Sequence, residues 1–270
     1  MELNQINWNE MWQKEMGKVS GKHDGVEQWD DHTKRFEEWM KKDDYPKNVI
    51  QRIKLNKDWT VLDIGCGTGA LTIPMAKDVK HVTALDISKK MLGFLRERAL
   101  KEKMSNITYL NKSWEDVVIT KEYEHDVVIS SRSLGMFDLK EELTKIDRAA
   151  KWYAYVTWKT GKRKFEEGVY KMLGREYHDY PSYIYIFNML YQMEIYANVE
   201  FFECKRVCRL NLDDAIADWR CRIGDLCEEE EERLKEYLME NLTETEEGTL
   251  ISGEKSKWAL IWWKKGEVNE

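Results

Sequence analysis

The run Val61-Leu62-Asp63-Ile64-Gly65-Cys66-Gly67-Thr68-Gly69-Ala70-Leu71 constrains the fold more than any other part of the chain. Apolar residues that read as a buried strand deliver an acid and then three closely spaced glycines, after which helix-compatible residues resume. The reading is strand, tight turn, helix start. Glycine suits such a turn because the backbone takes conformations closed to other residues and approaches a ligand without Cβ atoms in the way. The helix that follows offers free N–H groups and a partial positive charge to whatever occupies the turn. Something small and polar is expected to bind there.

Gly65, Gly67 and Ala70 also fit the dinucleotide fingerprint G-x-G-x-x-G/A, so the glycines alone leave a nicotinamide-dependent oxidoreductase open. Asp63 ahead of the first glycine and Gly69 at alternate spacing point elsewhere. A carboxylate there would pair with an ammonium group but repel a pyrophosphate. Asp-x-Gly-x-Gly-x-Gly resembles the first motif of the class I S-adenosylmethionine-dependent methyltransferases, in their small-molecule (type 11/25-like) branch. In that family the acid and the glycine loop hold the amino-acid end of the cofactor.

The rest of the chain fits that resemblance. Val82-Thr83-Ala84-Leu85-Asp86 reads as a second strand ending in an acid about 20 residues past the first glycine, where a ribose hydroxyl pair would be bound in either kind of site. Ser88 opens a helix striped by Met91, Leu92, Leu95 and Ala99, and Ile107-Thr108-Tyr109-Leu110 forms a third strand. Ser113-Trp114-Glu115-Asp116 resembles the methyltransferase loop Asp-Ala-Glu-Asp, in which a short polar side chain and the next backbone N–H read the adenine edge. Here Ser113 replaces the usual acid and Trp114 the small residue; a hydroxyl still donates or accepts, and an indole can pack on an adenine face. The fourth strand, Asp126-Val127-Val128-Ile129-Ser130, opens into Ser131-Arg132-Ser133, and ligands of open α/β sheets gather beyond such strand ends. The resemblance assigns the cofactor to Asp63, Gly65, Cys66, Gly67, Gly69, Asp86, Ile87, Ser113, Trp114, Glu115 and Ser131. Arg132 either clamps an anionic substrate or forms a buried pair with an acid. His81 and His125 precede their strands and sit at the wrong edge for catalysis.

The implied architecture is a Rossmann-like, seven-stranded, mostly parallel α/β sheet with helices on both faces and an antiparallel final strand. Tyr153–Trp158, Phe201–Val207 and Trp258–Trp263 supply the later strands. Residues 1–55 read as an N-terminal helical cap before a methyltransferase domain at 56–270. Trp29, Phe36, Trp39 and Met40 fall at helical spacing there, and Pro46 suits a first helical turn. Trp8 and Trp12 serve either as lid or as core packing. About 159–198 forms a helical, aromatic insert: Lys159, Lys162, Arg163 and Lys164 lead into Tyr170, Tyr177, His178, Asp179 and Tyr180. If the acceptor must lose a proton, His178 or a nearby tyrosine is the candidate general base.

The chain has 270 residues, is 42% hydrophobic and 34% charged, and carries a formal charge of −7. This describes a globular domain rather than a disordered chain, and it disfavours a broad nucleic-acid surface, which needs clustered Lys and Arg. No apolar run reaches membrane-spanning length, and Met1-Glu2-Leu3-Asn4-Gln5 lacks signal-peptide regions, so the cytoplasm is expected. Cys204, Cys208, Cys221 and Cys227 lack metal-site spacing and read as reduced thiols. The resemblance implies methyl transfer to a small-molecule acceptor by in-line displacement. A methyltransferase-like binding protein without turnover is the other alternative.

Overall fold

A computed structural model of the protein describes residues 5–19, 44–161, 163–205, 211–246, 250–251 and 255–265. The helical pattern on Trp29, Phe36, Trp39 and Met40, together with Lys162, Arg206, Val207 and Cys208, lies outside the described residues. The strands of the main sheet are β1 (Thr60–Ile64), β2 (His81–Asp86), β3 (Ile107–Asn111), β4 (His125–Ser131), β5 (Ala150–Thr160), β6 (Asn198–Lys205) and β7 (Lys255–Lys264). The sheet has seven strands in the order β3-β2-β1-β4-β5-β7-β6. Neighbours from β3 to β5 pair in parallel, while β7 runs antiparallel to both β5 and β6. The last strand is thus reversed, as the resemblance implies. Thr243–Glu244 and Leu250–Ile251 form a separate two-stranded hairpin.

Both faces of the sheet are covered, so its central strands are apolar almost throughout rather than alternating. Successive residues still face opposite ways. Val61, Val127 and Ile129 pack with α2 (Tyr45–Ile50), α3 (Thr72–Asp78) and α4 (Lys89–Lys101). Leu62, Ile64 and Val128 pack with α1 (Trp8–Val19), α5 (Leu139–Ala149) and α7 (Tyr183–Gln192). Pro46 sits in the first turn of α2, and the Ser88 hydroxyl caps α4 by accepting from Met91 N–H at 3.1 Å.

The stretch 159–198 does not behave as one aromatic insert. Its first helix, α6 (Lys164–Met172), packs through Val169 with α8 (Leu212–Ile223) and α9 (Glu228–Asn241), whose Ile216, Trp219, Leu234 and Leu238 build a third apolar cluster. Its second helix, α7, instead buries Ile186, Met189 and Leu190 on the sheet beside α1 and α5. Trp12 of α1 is fully buried against Trp158, ring centroids 5.0 Å apart, and its indole N–H donates to the Met136 carbonyl at 3.0 Å. Strand order reverses between β1 and β4, and a crevice opens beyond their carboxyl ends.

Candidate functional site

A cavity of about 290 Å³ occupies that crevice. Its walls come from the ends of β1, β2, β3 and β4 and from α2, and include Asp63, Gly65, Cys66, Gly67, Asp86, Ile87, Ser113, Trp114, Glu115, Ser131 and Arg132. Tyr45, Ala70, Leu71, Met91, Lys112, Ser133 and Met136 complete the lining beside β-strand residues.

The glycine loop is shaped by contact as well as by dihedral angle. Gly65 has φ +66°, and a Cβ there would lie 2.3 Å from Ser133 Cβ. Ser133 cannot easily retreat, because its hydroxyl donates to the Ile64 carbonyl at 2.6 Å and lies 2.9 Å from Ser130 Oγ. Gly69 has φ +83°, and a Cβ there would meet Leu95 Cδ1 at 2.2 Å. Gly69 is outside the cavity lining; it lets the loop settle onto α4.

Two carboxyl groups dominate the electrostatics. Asp63 is 2% exposed, and its Oδ2 accepts from Thr72 Oγ1 at 2.6 Å. Burial pushes its carboxyl up to about 7; the hydrogen bond from Thr72 opposes the rise and the negative charge of Asp86 adds to it. Asp86 accepts from Gly67 N–H and from Ser88 N–H, each at 2.8 Å, and so ties the end of β2 to the loop. A carboxylate oxygen has further lone pairs, so these bonds leave Asp86 able to accept from a ligand hydroxyl. Burial also pushes the Cys66 thiol up, which keeps it protonated.

At the β4 end, Arg132 adopts φ +61°, an uncommon conformation for a side chain of its size. Its backbone N–H donates to Thr157 Oγ1 at 3.0 Å. Its guanidinium lies 3.5 Å from the Tyr45 ring centroid and 4.8 Å from that of Trp258, a cation–π arrangement. The Tyr45 hydroxyl bridges Ser131 Oγ at 2.7 Å and Thr157 Oγ1 at 2.6 Å. Burial raises the Tyr45 phenol and the Arg132 charge opposes that rise, so the phenol stays neutral.

Not every expected residue reaches the cavity. His178 lies between α6 and α7, its side chain 37% exposed and 3.4 Å from the Glu176 carboxylate, outside the cavity lining. The linker between those helices runs past the end of β5, where the Trp158 indole N–H donates to the Pro181 carbonyl at 2.7 Å, but His178 does not reach the lining. Trp8 packs edge-on against Tyr185 and does not line the cavity, nor does Trp12. His125 is buried at the opposite edge, bonded to Thr83 Oγ1 and the Tyr123 carbonyl. Cys204 is buried and Cys227 exposed, and among the described residues no group of three or more His, Cys, Asp or Glu is placed to hold a metal. Ser133 and Met136, in the run expected beyond the fourth strand, do line the cavity, whereas sequence reasoning missed Tyr45. Pro46 marked the start of α2, but nothing local tied Tyr45 to residues 86 and 112 positions away.

The donor set discriminates between ligands. Asp63 and Asp86 both face the cavity, so a diphosphate would meet two carboxyl groups, whereas an ammonium and a ribose diol would each find an acceptor. A model of the family described as "Methyltransferase domain" matches residues 61–152. A protein of Haemophilus influenzae, described as an "Uncharacterized protein", is 33% identical over 274 residues, covering 99% of this chain and 100% of that one. A ubiquinone biosynthesis O-methyltransferase of Aromatoleum aromaticum is 31% identical over 134 residues, covering 46% of this chain and 57% of the relative. The crystal structure of magnesium protoporphyrin IX methyltransferase from Synechocystis PCC 6803, with bound S-adenosylhomocysteine, covers 97% of this chain and 100% of its own, with TM-score 0.50 and 14% identity. That last likeness concerns the fold; the aligned sequence family and the acid-flanked glycine cradle agree with it, and the chain belongs to the class I S-adenosylmethionine-dependent methyltransferases.

Proposed function

We propose that the protein methylates a small-molecule acceptor that enters the cavity at its β4 end, between Ser131, Arg132 and Met136. The observation that carries this reading is a single cavity joining two acids at the ends of β1 and β2 to a guanidinium at the end of β4. S-adenosylmethionine supplies a methyl group on a sulfonium, already activated for attack. Asp63 accepts the ammonium of its amino-acid end, Asp86 its ribose hydroxyls, and Ser113 and Trp114 wall the base. Arg132, held by Tyr45 and Thr157, faces the acceptor and favours one bearing a carboxylate or phosphate. The chain's contribution is alignment of acceptor and methyl for in-line displacement and exclusion of water, so a dedicated base is optional.

The named O-methyltransferase relative, the formal charge of −7 and the cavity volume of about 290 Å³ support a metabolite rather than a nucleic acid as acceptor. Among the described residues no helix is long and apolar enough to cross a membrane, and we assign the protein to the cytoplasm. Residues 1–55 act in this reading as a cap, since α1 fastens the wall of the site through the Trp12 to Met136 bond. Thermal-shift titration with S-adenosylmethionine, S-adenosylhomocysteine and NAD tests the cofactor, because a ligand that binds only the folded state raises Tm. Stabilisation by NAD alone would overturn the reading. Transfer of isotopic methyl to carboxylate- or phosphate-bearing metabolites, lost in Arg132→Ala, tests the acceptor.

A further inference from the structure

Lys145 of α5 is a charged residue only 8% exposed, and Glu142, one turn before it, is 3% exposed. An ammonium has three protons to donate, and here all three are engaged. Lys145 Nζ donates to the Trp114 carbonyl at 2.7 Å, to the Glu115 carbonyl at 3.1 Å and to a Glu142 carboxylate oxygen at 3.0 Å. A buried ion pair is costly to maintain and adds little net stability, so its presence asks for another explanation. The two carbonyls belong to the loop that lines the cavity beyond β3.

The effect on that loop follows from peptide geometry. In a trans peptide the C=O and the N–H of the same unit point in opposite directions. Drawing the Trp114 carbonyl towards α5 therefore turns the Glu115 N–H away from α5, while Trp114 and Glu115 both line the cavity. The cavity lining also includes Ile87 and Met91, whose apolar side chains suit the flat faces of a nucleobase, and Ser113. The Trp114 side chain is buried as well, with the Lys145 ammonium 5.3 Å from its ring centroid, so the residue that holds its carbonyl also rests on its indole.

We propose that Lys145, balanced by Glu142, is a positioning residue for base recognition: it fixes the peptide plane of the Trp114–Glu115 loop so that the loop's donors match adenine and reject a 6-oxopurine. The inference rests on the methyltransferase reading and deepens it, since it names what sets the choice of nucleoside. It requires no contact between Lys145 and the cofactor.

The test compares binding of S-adenosylhomocysteine with that of S-inosylhomocysteine by calorimetry. The wild type is expected to prefer the adenine compound. In Glu142→Met/Lys145→Met, which leaves no unpaired buried charge, affinity for S-adenosylhomocysteine should fall about five- to tenfold, the worth of roughly one hydrogen bond, with little change for the inosine compound. A purely structural role would lower Tm and weaken both ligands alike, and an unchanged ratio in a folded variant would overturn the inference. Should that pair misfold, Glu142→Gln/Lys145→Met, which keeps a polar group at 142 and no donor at 145, carries the same expectation and the same refutation. A wild-type protein that bound neither nucleoside would overturn the methyltransferase reading itself, an outcome distinct from an unchanged ratio.

Discussion

Replacing Asp63 by asparagine separates what this carboxyl does for the fold from what it does for the ligand. The side chain is buried beneath the glycine loop, and burial holds its carboxyl at about 7 against an ordinary 3.8. Between those values the native state keeps a proton that the unfolded chain has released. The contribution of Asp63 to stability is therefore complete below pH 3.8 and is lost as pH rises through 7. A displacement of about three pH units corresponds to roughly 4 kcal/mol at pH 8, taken as an upper bound. The amide of the variant keeps an oxygen to accept from Thr72 and carries no charge. Asp63→Asn should match the wild type below pH 3.8, pull ahead of it from there to pH 7 and exceed it most at pH 8; at half the bound, Tm at pH 8 would rise by roughly 4–8 °C for a chain of this size. An ammonium bound beside Asp63 reverses the argument, since it draws the proton off the acid. Affinity of the wild type for S-adenosylhomocysteine should rise from pH 6 to 8 with release of a proton, detectable by calorimetry in buffers of differing ionisation enthalpy. Asp63→Asn should bind weakly and without that pH dependence. Identical melting of the two proteins from pH 5 to 8, or a flat affinity profile for the wild type, would refute the reasoning.

Other consequences of the packing can be measured directly. Gly65→Ala meets both a left-handed backbone and the fixed Ser133 side chain, so urea denaturation should show a loss of about 2–5 kcal/mol, with cofactor binding abolished. Gly93→Ala in α4 has nothing within 4 Å of the new methyl and should gain about 0.5–1 kcal/mol in the same assay. Tyr45→Phe removes the hydroxyl shared by Ser131 and Thr157, which should cost about 1–2 kcal/mol in melting and lower methyl-transfer rate by loosening Arg132. His125 is held below its ordinary value chiefly by burial, so its contribution is present above pH 6.5 and lost as pH falls below that point. The stability gap between wild type and His125→Gln should therefore narrow from pH 7 to pH 5, and a constant gap would count against the assignment.

What could be read from the sequence was local. The strand, the acid and the glycine loop at 61–71 are contiguous, and Gly65, Gly67 and Gly69 all take positive φ, so Asp63, Gly65 and Gly67 appear where the pattern puts them. Asp86 is separated from them by one helix whose length is set by the α/β repeat, and it too was legible. The antiparallel last strand came from resemblance rather than from periodicity, because an apolar run such as Trp258–Trp263 says that a strand is buried and not which neighbours it has. The same limit explains Trp12 and the stretch 159–198. Helical spacing of aromatics requires a covering surface, and only the folded chain shows that α1 and α7 cover one another while α6 joins α8 and α9.

Lys145 marks where local reading fails most instructively. In sequence, Glu142 and Lys145 are an i, i+3 pair on a charged helix, a pattern that ordinarily lies in solvent and adds only a few tenths of a kcal/mol. The fold turns that face inward against the loop after β3, and the pair becomes the anchor of two backbone carbonyls some thirty residues away. Tyr45 is the counterpart at the other end of the cavity, where a tyrosine beside a helix-starting proline becomes the aromatic rest for Arg132. Motif residues contact the ligand and are recognisable by their own chemistry. The residues that aim them are ordinary in type and acquire a role only through tertiary contacts, so specificity within this family is expected to diverge at positions such as 45 and 145 while the loop at 63–69 stays fixed by its own stereochemistry.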